Sequence, residues 1–220
     1  MGDPFKIYFA GDLFNHKDLF GNLLLADAIT EQSSGRFICT LPQNLEHSSG
    51  RSVDIRNQDL LQIILSDLVL LNFDGSELDS GTVVEFIFAK ALDVPAVILR
   101  TDFRSSGDQD RDGDPWNLMC SGYPRTEVIT LNGMARYQEA IRSESTGREA
   151  LESFYSRLAA EVIQGFESVL IKPSVLVSDK VQILERYRWA LSFPGSGLKE
   201  LMSEEEVKRI LMEKRKKGSI

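Results

Sequence analysis

Short apolar runs alternate with stretches of helical periodicity over the first 130 residues. Lys6-Ile7-Tyr8-Phe9-Ala10 ends at Gly11 and reads as a buried parallel strand. From about Lys17 to Gln32, Leu19, Phe20, Leu23, Leu24, Ala28 and Ile29 recur at helical spacing. Phe37 to Leu41 is a second strand, closed by Pro42. Asp54 is placed to cap a helix running to about Ser66, and Leu68 to Phe73 is the clearest central strand, stopped by Asp74-Gly75. Thr82 to Leu92 reads as helix, Ala96 to Leu99 as a fourth strand and Glu127 to Leu131 as a fifth. Strands separated by helices require crossovers, and those give a parallel sheet covered on both faces. The expected fold is therefore α/β. It is a doubly wound, flavodoxin-like or Rossmann-like domain with a five-stranded parallel sheet over residues 1–132.

Beyond Gly133 the strand signals nearly stop. Phe154, Leu158, Val162 and Phe166 repeat every fourth residue, Pro173 breaks the run, and Val181, Leu184, Tyr187, Arg188 and Leu191 mark another helix. Pro194-Gly195-Ser196-Gly197 separates it from a last helix. There Ser203 is a natural cap, Glu204-Glu205-Glu206 opens the helix, Lys214-Arg215-Lys216-Lys217 closes it and Gly218 ends it. Residues 133–220 thus read as a helical C-terminal extension packed on the α/β core or on a neighbouring subunit.

Charge and composition narrow the partners. Net charge is −8, so a nucleic-acid polymer would meet repulsion, and the only dense basic run is the end of that last helix. No apolar run reaches the roughly 18 to 20 residues a spanning helix needs. Met1 to Lys6 lacks a basic segment followed by an apolar one, so no secretory signal or membrane association is expected and the location should be cytoplasmic. Cys39 and Cys120 are too few for a disulfide framework. With His16 and His47 the only histidines, neither a metal site nor a cofactor is expected.

Ligands of open parallel sheets bind beyond the carboxyl ends of the strands. After the first strand comes Gly11-Asp12-Leu13-Phe14-Asn15, and after the third a segment dense in carboxylates that includes Asp79, Gly81 and Glu85. Thr82-x-x-Glu85 matches a capping box, with Thr82 as the cap and Glu85 reaching back. Against that, Glu85 sits at the ligand edge with Asp79 six residues upstream, and the helix N-terminus would hold it ionised. Paired carboxylates suit substitution at a sugar anomeric carbon, one attacking to form a glycosyl ester while another group handles the leaving-group proton. Asp59 lies on a helix apolar nearly all round. It either pairs with Arg56, or is solvated at the helix edge, or faces the site, where its carboxyl meets a base nitrogen. Tyr8 is either core or a hydroxyl seeking a partner. The long loop from Thr101 to Tyr123 contains Asn117-Leu118-Met119, either a binding element or a turn with an apolar plug.

Taken in order, Tyr8-Phe9-Ala10-Gly11, Asn57-Gln58-Asp59, Asp79 to Glu85 and Asn117-Leu118-Met119 resemble the nucleoside 2-deoxyribosyltransferase family, over roughly residues 5 to 131. The resemblance implies a ping-pong exchange in nucleotide salvage. Glu85 would attack C1′ of a 2′-deoxynucleoside, Asp59 would protonate and deprotonate the base, Asp79 would hold the sugar hydroxyls and Tyr8 would orient Glu85. Gly11, Asp12, Phe14 and Gly81 would line the substrate site. Asn117 and Met119 would close it from a neighbouring subunit, which implies a homo-oligomer. The partners are then 2′-deoxynucleosides and free purine or pyrimidine bases. Rival readings are a hydrolase of 2′-deoxynucleoside 5′-monophosphates on the same scaffold, a nucleotide-sensing module and a flavodoxin-like carrier. The first wants a phosphate cradle after the first strand, where Asp12 would repel it. The second usually presents cations to phosphates, and the third wants a Ser/Thr/Gly-rich loop there.

Overall fold

A computed structural model describes residues 2–45, 51–105, 107–110, 113–176 and 180–220; His47 lies outside them. Five strands form one sheet: β1 (Phe5–Ala10), β2 (Phe37–Thr40), β3 (Leu68–Asn72), β4 (Ala96–Arg100) and β5 (Thr126–Thr130). All neighbours are parallel, in the order β2-β1-β3-β4-β5. The order reverses between β1 and β3, and in such sheets the crevice outside that switch point is where ligands bind. The central strands carry almost unbroken apolar sequence because both faces are covered.

Among the described residues seven α-helices supply the covering: α1 (His16–Gln32), α2 (Ser52–Leu65), α3 (Ser80–Ala91), α4 (Gly133–Ser143), α5 (Gly147–Leu170), α6 (Lys180–Ser192) and α7 (Glu204–Lys217). One core joins Ile7, Phe9, Leu70 and Val97 of the sheet to Ile29 of α1 and to Leu158, Val162 and Phe166 of α5. Gly165 lets α5 approach closely, since a Cβ there would stand 3.0 Å from Ile129 Cδ1 and 3.3 Å from Val97 Cγ1. The opposite core joins Tyr8, Val69 and Leu71 to Ile63 of α2, Phe86 of α3, Tyr187 of α6 and Ile210 of α7. The helices beyond Gly133 therefore contribute to both faces of the sheet.

Two helix starts differ from the sequence expectation. Arg51, not Asp54, precedes α2; Asp54 lies inside the first turn and accepts from the Arg51 guanidinium at 2.7 and 2.9 Å. A carboxylate within the first turn is favoured by the helix dipole, so the acid remains useful one turn later than a cap. The second difference, at α3, reshapes the site.

Candidate active site

Helix α3 begins at Ser80, and Asp79 caps it. Asp79 Oδ2 accepts from the Thr82 amide at 2.7 Å and from the Thr82 hydroxyl at 2.9 Å. Thr82 is thus the third helical residue rather than the cap, and the expected Thr82–Glu85 capping box does not form. Asp79 wins because it reaches the Thr82 amide with a charged acceptor, a stronger bond than the Thr82 hydroxyl would make to the Glu85 amide. Gly81 allows the cap: a Cβ there would stand 3.0 Å from Asp79 Oδ2. Released from capping, Glu85 projects from the second turn toward β1.

There Glu85 meets Tyr8, whose hydroxyl donates to Oε1 at 2.5 Å. Tyr8 is fully buried on the face of β1 that packs against α2 and α3. Burial holds its pKa well above the ordinary value, and Glu85 and then Asp59 push it further the same way. It therefore stays a phenol, a fixed donor, at any physiological pH. Glu85 Oε2 and Asp79 Oδ1 accept no hydrogen bond among the described residues.

The sequence also predicts that the helix N-terminus holds Glu85 ionised. Instead its pKa is pushed up to about 7. Burial is the main cause; the Tyr8 hydrogen bond opposes it, and Asp59 and Asp79 reinforce it. The dipole acts mainly within the first turn, and Glu85 lies beyond it. Nearby, Asp12 is also raised, by burial and then by Asp79, Asp18 and Asp74.

A cavity of about 550 Å³ opens above these groups, large enough for a nucleoside-sized ligand. Gly11, Phe14, Asp59, Asp79, Gly81 and Glu85 all line it. Gly11 is required by contact, since a Cβ would stand 2.9 Å from Asn72 Cβ. Phe14 is 77% exposed at the rim. Tyr8 lies beneath, and Asp12 stands beside Asp79 without lining the wall. Asn117 and Met119 are elsewhere. Asn117 Oδ1 accepts from the Met119 amide at 2.9 Å, and Met119 is 69% exposed. The apolar plug of that loop is Trp116, buried edge-on against Phe73 at 5.4 Å.

The edge loops are braced from below. Buried Arg100 donates to the carbonyls of Phe73, Gly75 and Arg104. Asp74 accepts from Thr101 N, Thr101 Oγ1 and Asp102 N at 2.5, 2.7 and 2.7 Å. Among the described residues no group of three or more His, Cys, Asp or Glu side chains is placed to hold a metal ion.

Sequence reasoning missed Arg56 as a wall residue. It lines the cavity together with Ser52 and Asp59 on α2. The signal was present, because positions 52, 56 and 59 share one helical face. The sequence suggests Arg56 as a partner for Asp59, whereas its guanidinium bonds to Asn57 Oδ1 and to the Gly195 carbonyl.

The model of the nucleoside 2-deoxyribosyltransferase family matches residues 7–119, a span that holds Tyr8, Asp59, Asp79, Glu85, Asn117 and Met119. Solved structures with a similar fold include a conserved protein from Enterococcus faecalis. It is 22% identical, with 76% of this chain and 99% of that one covered and a TM-score of 0.47. A 2-desoxiribosyltransferase from Leishmania mexicana is 21% identical, covering 64% and 100%, with a TM-score of 0.46. A 2-deoxyribosyltransferase from Bacillus psychrosaccharolyticus is 20% identical, covering 54% and 81%, with a TM-score of 0.41. No curated protein matches the chain in sequence. The matched span covers half of the chain and contains both walls of the cavity: the chain belongs to the nucleoside 2-deoxyribosyltransferase family.

Proposed function

We propose that this protein exchanges the base of 2′-deoxynucleosides through a covalent deoxyribosyl–Glu85 ester, with net retention. The observation that carries the reading is the Tyr8–Glu85 pair. A carboxylate is fixed by a buried phenol at 2.5 Å in a cavity shared with Asp59 and Asp79. A Glu85 oxygen attacks C1′ as the C1′–N bond breaks, and that electron pair leaves on the base nitrogen. Asp59, as the acid, gives its proton to that nitrogen. An acceptor base then attacks C1′, Glu85 departs as carboxylate, and Asp59 takes the N–H proton. Two inversions give retention. Asp79, with one oxygen committed to the cap, offers the other to the sugar hydroxyls. The transition state develops positive charge at C1′; a 2′-hydroxyl would withdraw electrons from it, and the carboxylates stabilise it.

Nucleosides are expected ahead of their 5′-monophosphates. The loop after β1 offers Asp12, and a carboxylate about 5 Å from a phosphate charge costs roughly 1 to 3 kcal/mol. Exposed Asn117 and Met119, which do not line their own cavity, are suited to closing that of a second copy in a homo-oligomer. The test is incubation with deoxyinosine or thymidine, with and without free adenine, followed by chromatography. Deoxyadenosine formed only with adenine supports exchange. Free base released equally in both, with a preference for deoxynucleoside monophosphates, would make the protein a hydrolase.

A further inference from the structure

Arg56 is the one Lys or Arg among the described residues of the cavity wall. Its five N–H donors are unequally used. Nε and Nη2 both donate to Asn57 Oδ1, at 3.2 and 2.7 Å, and Nη2 also reaches the Gly195 carbonyl at 3.3 Å. Nη1 makes no hydrogen bond among the described residues. The clamp is itself held, since buried Asn57 donates from Nδ2 to the Ser196 carbonyl at 2.8 Å. Gly195, Ser196 and Gly197 take φ of 64°, 54° and 91°, three successive left-handed residues. Only glycine adopts that region freely, so Ser196 carries a backbone cost in presenting these carbonyls to α2.

We propose that Arg56 selects the base: Nη1 donates to a ring carbonyl oxygen, so oxo bases are taken ahead of their amino counterparts. The proposal rests on the exchange reading above. Arg56 stands one helical turn before Asp59, on the α2 wall that meets the base, whereas the sugar-facing carboxylates Asp79 and Glu85 belong to α3. A guanidinium donates and never accepts. It complements a carbonyl and leaves an exocyclic amino group facing another donor. A site built to hydrogen-bond one group rejects the analogue lacking it, because its own polar group is left unpaired. The clamp fixes the side chain before substrate arrives, which removes much of the ordering cost. The loop at 195–197 of the helical extension thereby acts on the site through Arg56 and Asn57, as a positioning element.

The test uses the full chain and initial rates with deoxyinosine and deoxyadenosine as donors and one fixed acceptor base. A hydrogen bond to a charged group corresponds to about a ten- to hundredfold effect. Arg56→Met keeps the apolar stem and should lower kcat/KM for deoxyinosine by that factor, leaving deoxyadenosine within about threefold. Asn57→Ala, checked for folding by circular dichroism, should shift the same ratio less far. Arg56→Lys should not restore it, because an ammonium cannot span Asn57 and Gly195 at once. Equal losses on both donors, no loss, or a loss seen only with 5′-monophosphates would overturn the assignment while leaving exchange intact. Should the wild type exchange no donor, the exchange reading fails. Calorimetric binding of hypoxanthine against adenine, wild type against Arg56→Met, then decides the base preference separately, and no difference would overturn it.

Discussion

At the carboxyl ends of β1 and β3, partly buried Asp12 and Glu85 each have their proton affinity raised further by Asp79, whereas Asp67 and Asp93, before the amino ends of β3 and β4, each face a cation. Arg125 Nη1 lies 2.9 Å from Asp93 Oδ2, both side chains being at most 2% exposed, and Lys217 Nζ lies 2.8 Å from Asp67 Oδ2. Neutral partners complete the amino-end set: Lys6 N and Ser219 Oγ donate to Asp67, and Ser174 Oγ and Val175 N donate to Asp93. Lys214, pushed down to about 8 by burial, donates to the Ser66 carbonyl. Asp67 and Asp93 are almost wholly buried, Asp12, Asp79 and Glu85 only partly so, and the two sets differ also in the sign of their neighbours. Opposite charges and the hydrogen bonds around them fix the last helix to the sheet, with Asp93 Oδ1 and Arg125 Nε left without a hydrogen-bond partner among the described residues. Burial, reinforced by like charges, leaves in the cavity a carboxylate that titrates near neutrality, which is where chemistry is found.

The largest effect should come from breaking the carboxyl end. Glu85→Ala removes the nucleophile and should lower base exchange by several powers of ten in a protein that still folds, since no capping contact is lost. A folded variant exchanging at near wild-type rate would remove Glu85 from the mechanism.

Next is the amino end. Arg125→Met leaves Asp93 buried without its cation and should cost about 3 to 5 kcal/mol. Calorimetry should show a Tm lower by on the order of 10 °C. A fall of a degree or two would mean that the Ser174 and Val175 bonds already satisfy Asp93.

A third measurement sharpens the comparison through pH. Glu85 has a pKa of about 7 folded against 4.5 when exposed. The native state therefore holds the proton more tightly, and wild-type stability should fall as pH rises from about 4.5 to above 7. Glu85→Gln cannot ionise and should flatten that decline, gaining about 1 to 3 kcal/mol at pH 8 by denaturant titration. In parallel, kcat/KM should rise through about pH 7 as the free enzyme's nucleophile ionises, and Tyr8→Phe should move that rise upward by removing the bond that favours the carboxylate. A rate profile already flat at pH 5 would contradict the raised value.

The smallest effect belongs to a pair at neither end. Arg148 and Glu152 lie at 3.1 Å, both largely exposed on α5. Arg148→Ala should change stability by no more than about 0.5 kcal/mol, and any gain or loss should fade in salt. A loss of several kcal/mol there would show that proximity of charge, and not burial, sets the scale.

Much of this was legible in the chain itself. Strands such as Leu68–Asn72 announce themselves because a doubly covered strand is apolar without interruption. Ser203 caps α7 and Gly218 ends it as expected, and Glu206 completes a capping box with Ser203, because these partners are three residues apart and need nothing else from the fold. The order of Tyr8, Asp59, Asp79 and Glu85 along the chain likewise marks a family without any geometry. Local rules could not choose between two caps for α3, since Asp79 and Thr82 both lie within reach of its first amides. Nor could they show that Glu85 would be buried against Tyr8, 77 positions away, and so titrate near 7 rather than stay ionised. The role of 195–197 was also invisible, because Arg56 and Gly195 stand 139 positions apart and meet only when the segment between α6 and α7 packs on α2. Sequence determines what each segment can do alone; burial and long-range pairing, which set proton affinities and fix side chains, exist only once the two layers have packed on the sheet.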